Sequence, residues 1–326
     1  MLASAVRYLR GLEREDTDPM PGPASQPIPP HPPPPHPARL TIGVIGAGRV
    51  GTVLGAALAR AGHRVVAVSA VSDASVARAR RLLPDAAIKR PDEVLAESGL
   101  VLLTVPDDAL PGLVSGLAAT GAPMEGRLLA HASGRHGIGL LEPATRRGAL
   151  PLALHPVMTF TGRPDDLDRL AGICFGVTAP DPLRTAAEAL VIEMGGEPVF
   201  IEEANRGLYH AALASGANHL ITLVVQAADL LRAAGVPDPA RMLTPLLSAA
   251  LDNALRLGDA GLTGPVARGD ADTVAGHIEA LRDVSPEALR AYVALARLTA
   301  DRALAARMLA APDAQRLLDV LGGAPR

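Results

Sequence analysis

The sequence predicts an α/β domain built on a doubly wound, mostly parallel sheet, followed by an all-α C-terminal domain. Short β-branched runs alternate with helical stretches from Leu40 to Ile201. The alternation stops after Glu203, and everything beyond it reads as helix.

Leu40-Thr-Ile-Gly-Val-Ile45 is a short apolar run of the kind buried on both faces in a parallel sheet. Gly46 to Gly51 turns into a helix whose Val50, Val53, Leu54, Ala57 and Leu58 recur at helical spacing, with Gly62 as its C-terminal cap. Arg64-Val-Val-Ala-Val-Ser69 is the next strand. Further strands read at residues 100–105, 128–130, 150–154, 173–177 and 198–201. Residues 208–234 form one long helix, apolar nearly all round and closed by Gly235 and Pro237. Such a helix needs cover on every side, from its own chain or from a second copy. Helices follow at 244–257, 270–282 and 286–309, with Thr244 and Ser285 as N-caps ahead of Pro245 and Pro286. The expected organisation is a Pro-rich disordered extension at 1–38, an α/β domain at 39–202 and a helical substrate and dimerisation domain at 203–326.

Composition narrows the function. A chain of 326 residues accommodates two cores, and a net charge of −3 gives no reason to expect nucleic acid or an anionic membrane. Three Phe, three Tyr and no Trp argue against a base-stacking platform. No stretch reads as a charge-free membrane span and no secretory leader is evident, so a cytoplasmic protein is expected. The one cysteine, Cys174, excludes an internal disulfide and a thiolate cluster; its apolar neighbours predict a small buried hydrophobe. No metal site is predicted.

Gly46-Ala47-Gly48-Arg49-Val50-Gly51 matches G-x-G-x-x-G. The first glycine suits a tight turn, the second close approach of a pyrophosphate, and the third helix-on-strand packing. The pattern follows an apolar strand, opens a helix and precedes a second strand. In that context it marks a Rossmann domain that binds a dinucleotide. A carboxylate at the end of the second strand would mark NAD. Here Ser69-Ala-Val-Ser72 stands there, with Asp73 late and Arg78, Arg80 and Arg81 on the next helix. This favours the 2′-phosphate of NADP, with NAD as the alternative. Thr104-Val105-Pro106 is expected to pass along the cofactor, and Asp107 and Asp108 to cap the following helix.

Ligands of open α/β sheets bind beyond the carboxyl ends of the strands. His131-Ala-Ser133-Gly134 and His155-Pro156 fall there. His155, with an imidazole titrating near neutrality and Ser133 beside it, suits delivery of a proton to a carbonyl oxygen; His131 is expected to bond backbone instead. The long helix begins with Arg206 and His210 on one face and Asn218 two turns on. Thr263-Gly-Pro265 through Arg268-Gly-Asp270 precedes a helix carrying His277; a plain cap explains Asp270 but not the whole string.

With these residues assembled, the chain resembles a bacterial family of Rossmann-like proteins whose C-terminal half is the domain of unknown function 2520. The resemblance rests on Gly46-x-Gly48-x-x-Gly51, Thr104-Val-Pro-Asp107, His131-x-Ser133-Gly134, His155-Pro156, Tyr209-His210, Asn218, Leu262-Thr-Gly-Pro265, Arg268-Gly-Asp270 and His277. It covers roughly residues 39–299. The family is similar in layout to 6-phosphogluconate, prephenate and pyrroline-5-carboxylate oxidoreductases, which usually dimerise through their helices. The serine and His-Pro arrangement is similar to that of prephenate dehydrogenases. The resemblance implies an NADPH-dependent reductase of a small 2-oxo acid, with 2-dehydropantoate in pantothenate synthesis as the favoured substrate. In that reading His155 or His210 is the acid, Arg206 or Arg268 holds the carboxylate, and Asn218 and Thr263 bond remaining oxygens. A cyclic-imine or prephenate-like substrate, or a non-catalytic NADP-binding regulator, are the alternatives. Related reductases carry a lysine early in the long helix; here Arg206 stands in that region, and an arginine is a poor proton donor.

Overall fold

The computed structural model describes residues 39–323; the disorder expected for 1–38 concerns residues outside that range. The chain divides into two compact units, one up to Ala212 and one from Leu213.

In the first unit, β1 (Thr41–Ile45), β2 (Arg64–Ser69), β3 (Ala87–Ile88), β4 (Leu100–Leu103), β5 (Leu128–His131), β6 (Leu150–Pro156), β7 (Cys174–Thr178) and β8 (Glu197–Phe200) form one sheet in the order β3-β2-β1-β4-β5-β6-β7-β8. Every neighbouring pair is parallel except β6 and β7. The expected doubly wound, mostly parallel sheet is therefore present. Helices α1 (Arg49–Arg60), α2 (Asp73–Leu82), α3 (Pro91–Glu97), α4 (Leu110–Ala119), α5 (Glu142–Thr145), α6 (Asp165–Arg169) and α7 (Arg184–Glu193) lie between the strands. Alternation along β1 sends Ile42 and Val44 into one core and Ile45 into the other. Each such side chain contributes about 1.5–3 kcal/mol when fully buried, which is why the strand is apolar on both faces. Helix α1 stops where sequence places the stop. Gly62 takes φ +97°, its amide bonds the Ala59 carbonyl and the His63 amide bonds that of Leu58.

Because β1, β4, β5 and β6 run parallel, their C-terminal ends place Gly46, Thr104, His131 and His155 along one sheet edge. Two expectations fail nearby. Cys174 is exposed, because it opens β7 opposite Glu197 at the end of the strand and the core begins only at Phe175. Asp107 and Asp108 cap nothing; the turn continues to Ala109, and α4 starts there without a side-chain cap.

Helix α8 (Arg206–Ala233) runs on into the second unit, which holds α9 (Pro239–Leu257), α10 (Gly264–Arg268), α11 (Ala271–Arg282), α12 (Pro286–Ala305) and α13 (Ala311–Gly322). Val266, Val274, Leu289, Val293 and Leu317 are central to that unit's core. Ser285 caps α12 as expected, accepting from the Ala288 amide at 3.2 Å. Thr244 does not cap α9. Asp238 ahead of Pro239 supplies the same signal earlier, and Pro245 lies inside the helix. Arg307, at φ +58°, separates α12 from α13, so 286–309 is not one helix.

The largest departure is α8, whose only buried residue is Arg206. Among the described residues little covers it: Ile221 is 63% exposed and Val225 54%. Residues Glu203–Ala233 are also long and apolar enough to cross a membrane by length and composition, contrary to expectation. His210, Asn218, His219 and Gln226 interrupt the helix with polarity but not with fixed charge, which is why the segment passes that test.

Candidate active site

The Gly46–Gly51 turn is built as its spacing predicts. Gly46 takes φ +101°, and its amide and that of Ala47 both donate to the Ser69 carbonyl, at 3.2 and 3.0 Å. A Cβ at Gly51 would strike the Thr104 hydroxyl and the Gly46 carbonyl oxygen. Gly48 differs. The nearest atoms to a Cβ there lie 3.9 Å away, so its face is open to an approaching ligand. Gly48 caps α1 with no side-chain bond, and no acidic residue sits in the first turn. Open amides at the positive end of a helix dipole, with Arg49 and Val50 in that turn, fit a pyrophosphate. Thr104 ties β4 to this cradle by donating to the Gly46 carbonyl at 2.7 Å, which sets Val105 and Pro106 beside it.

At the end of β2, Ser69 is buried and its carbonyl is committed to the cradle. The Ser72 hydroxyl caps α2 through Ser75, so it is engaged in a helix start. Arg78 reaches back from α2 and donates from Nε to the Ala47 carbonyl at 3.4 Å.

Farther along the edge, His131 is buried, with Nε2 on the Gly137 carbonyl at 2.9 Å and Nδ1 accepting from the Ser133 amide at 3.3 Å. Burial pushes it down to about 4, so it is a neutral structural group. His155 is half-buried. Its Nδ1 lies 2.8 Å from the Tyr209 hydroxyl, and the His210 ring stands edge-on with centroids 6.2 Å apart. Gly134 lets both rings approach: a Cβ there would sit 2.7 Å from His210 and 2.8 Å from His155 Nε2. Gly176 does the same for the Tyr209 hydroxyl. The structure corrects the expected titration near neutrality. Burial, with the positive Arg206 next in importance, pushes His155 down to about 4. The imidazole is neutral; in the tautomer in which the Tyr209 hydroxyl donates to Nδ1, the ring proton sits on Nε2. Ser133 is buried; its hydroxyl accepts from the His136 amide at 3.2 Å and keeps its own proton to donate.

Arg206 is not a carboxylate ligand. It is 1% exposed, and its guanidinium is spent on Thr178 Oγ1 at 2.8 Å and on the carbonyls of Ala153, Gly176 and Ser133 at 3.1, 3.1 and 3.4 Å. It ties β6, β7 and the Ser133 loop to the start of α8. Glu203 supports the same loop, accepting from the Ile138 and Gly139 amides at 2.8 and 3.0 Å.

In the second unit the Thr263–Asp270 string is largely helix punctuation. Thr263 holds the N-cap position of α10, Pro265 lies in its first turn, and Gly269 ends it in the left-handed conformation. Asp270 then caps α11, accepting from the Thr273 amide at 3.0 Å. Cap chemistry thus explains more of the string than the sequence suggested. Thr263 and Arg268 are exposed, and Arg268 makes no ion pair among the described residues. Asn218 is exposed on α8, and His277 Nδ1 lies 2.9 Å from the Tyr292 hydroxyl.

Residues 28–156 match the model of a Rossmann-like domain, and residues 173–299 match that of the domain of unknown function DUF2520. The chain carries a Rossmann-like domain followed by a DUF2520 domain. Its fold is shared with a protein of Bacteroides fragilis described as an NADP oxidoreductase, at 25% identity and a TM-score of 0.65 over 81% of this chain and 98% of the other. It is also similar to a Thermotoga maritima protein (18%, TM-score 0.62, 82% and 100%) and to an imine reductase from a Pseudomonas species (21%, TM-score 0.60, 87% and 99%). No curated protein matches the sequence.

Within the first unit, the structure brings Ser133, His155 and His210 together and adds Tyr209, which residue-by-residue reading did not single out for chemistry. Its signal was present. One of only three tyrosines stands beside a histidine in the first turn of a helix.

Proposed function

We propose that this protein is an NADP(H)-dependent reductase of a small carbonyl compound, foremost a 2-oxo acid such as 2-dehydropantoate. The observation that carries the reading is a neutral His155, held through Nδ1 by Tyr209, on the sheet edge that also bears the open Gly48 cradle. NADPH, when bound along Gly46–Gly51, would supply the hydride. His155 Nε2–H, with the Ser133 hydroxyl, hydrogen-bonds the oxygen that becomes negative and gives it a proton. Tyr209 passes its own proton to Nδ1 as the Nε2–H bond breaks, so the imidazole stays neutral throughout. Arg206, with its guanidinium carbon 5.7 Å from the Tyr209 ring centroid, steadies the transient phenolate, which regains a proton from water. The His210 ring stands edge-on beside His155, with centroids 6.2 Å apart. Arg206 is committed to the interior and takes no part in holding a substrate carboxylate in this reading.

A cyclic imine is the second reading, favoured by the likeness to an imine reductase and by the loss of Arg206 as a carboxylate anchor. We place the enzyme in the cytoplasm as a homodimer, with the bare apolar face of α8 covered by a second copy rather than by lipid. The polar residues spaced along that helix support this choice. NADPH consumption over a panel of 2-oxo acids and cyclic imines tests the function. Turnover of 2-dehydropantoate within the panel is the expected result. Tight NADPH binding without consumption of any panel member would make the protein a regulator instead.

A further inference from the structure

Between β6 and α6 the chain makes a short loop, residues 157–164, that has no part in the proton chemistry. Its anchor is Asp166, whose side chain is fully buried. The carboxylate accepts from the Thr161 and Gly162 amides, both at 2.7 Å, from the Thr161 hydroxyl at 3.1 Å and from Arg169 at 3.3 Å. A carboxylate so enclosed is costly unless each lone pair is used, so the loop is locked in one conformation.

The loop is locked against arginines. Gly162 is buried at φ +76°, and a Cβ there would lie 3.0 Å from Arg49 Cγ and 3.1 Å from Arg78 Cδ. Arg81 donates to its carbonyl at 2.7 Å. Arg49 opens α1 at the phosphate cradle, and Arg78 is tied to that cradle through Ala47. Among the described residues none of these three arginines makes an ion pair. Three arginine side chains thus converge on Gly162 without a carboxylate partner, an arrangement suited to a phosphate.

We infer that the Thr159–Arg163 loop is a third wall of the cofactor site, which with Arg49, Arg78 and Arg81 recognises a phosphomonoester on the adenosine ribose, and that Asp166 is its positioning residue. The inference rests on the dinucleotide reading above and deepens it. Arg78 was legible from the sequence as a phosphate ligand. The loop, Gly162 and Asp166 were not, since they lie some 80 residues further along the chain.

Calorimetric titration of the full-length protein with NADP, NAD, 2′,5′-ADP and 5′-AMP tests it without requiring turnover. Wild type is expected to bind NADP and 2′,5′-ADP at least tenfold more tightly than their unphosphorylated counterparts. Asp166→Asn and Arg81→Gln are each expected to weaken NADP and 2′,5′-ADP by about tenfold while NAD and 5′-AMP move less than twofold. Arg81 is on the surface, so Arg81→Gln decides the matter should Asp166→Asn fail to fold. Equal loss for phosphorylated and unphosphorylated ligands, or no loss in Arg81→Gln, overturns the inference. A wild type that binds NADP and NAD equally overturns it too but leaves the reductase standing; a wild type that binds neither overturns both.

Discussion

Helices α1 and α8 are both apolar, yet their fates differ. In α1, eight of twelve residues are buried against the sheet; in α8, one of twenty-eight is. The sheet offers α1 an apolar face from the same chain, set by short connections that leave it no other place to go. The second unit satisfies its own core with α10 to α13 and, among the described residues, leaves most of α8 and α9 exposed. Hydrophobicity therefore states that a helix needs cover; it does not state whose surface provides it.

Charge placed in the two helices breaks the comparison most sharply. Leu54→Asp in α1 puts an unpaired carboxylate into the core and is expected to cost about 4 kcal/mol or more, read as loss of cooperative melting. Leu223→Asp in α8 is expected to leave the melting of the first unit in place and to convert a dimer to monomers in light scattering. Unfolding by both, or assembly unchanged by the second, would end the distinction.

Next in size is the chemistry. His155→Ala is expected to lower turnover by about 10²–10⁴ with NADPH affinity unchanged, and Tyr209→Phe by about 10–10². Should Tyr209→Phe turn over normally, the proton path through Nδ1 is wrong.

A smaller effect follows from the lowered histidines. His131 folds at about 4 against an ordinary 6.5, so between those values the unfolded chain binds more protons than the folded one. Stability is full above about 6.5 and is lost as pH falls towards 4, by on the order of 1–3 kcal/mol. Urea melts of wild type and His131→Asn across that range are expected to converge as the pH falls.

A contrast between two arginines spans a small and a moderate effect. Arg268→Ala, at an exposed side chain without an ion pair among the described residues, is expected to shift stability by less than about 0.5 kcal/mol. Arg206→Ala is expected to cost about 3 kcal/mol in stability, since four acceptors lose their donor at once. Reversal of that pattern would return Arg206 to the site.

Local chemistry made much of this readable. The glycines of the cradle, the Gly62 stop and the Ser285 cap are short-range consequences of backbone geometry, and a short window of sequence holds all the information they need. His155 was readable for the same reason, since a strand and its end are local. What Arg206 does was not readable. Its acceptors come from residues 133, 153, 176 and 178, and nothing near Arg206 in the chain shows that they surround it. Cys174 misled because strand patterning tells which residues alternate and not where the sheet stops covering them.

By itself the sequence determined the parallel sheet, the open phosphate cradle and the alignment of His131 and His155 on one edge, because propensity, period and turn residues act over a few positions. Tertiary structure alone decided that Arg206 is a buried tie, that His155 is neutral with Tyr209 behind it, and that Asp166 holds a loop against three arginines. Those outcomes depend on which distant groups share a low-dielectric interior, and burial and charge proximity are properties of the folded chain.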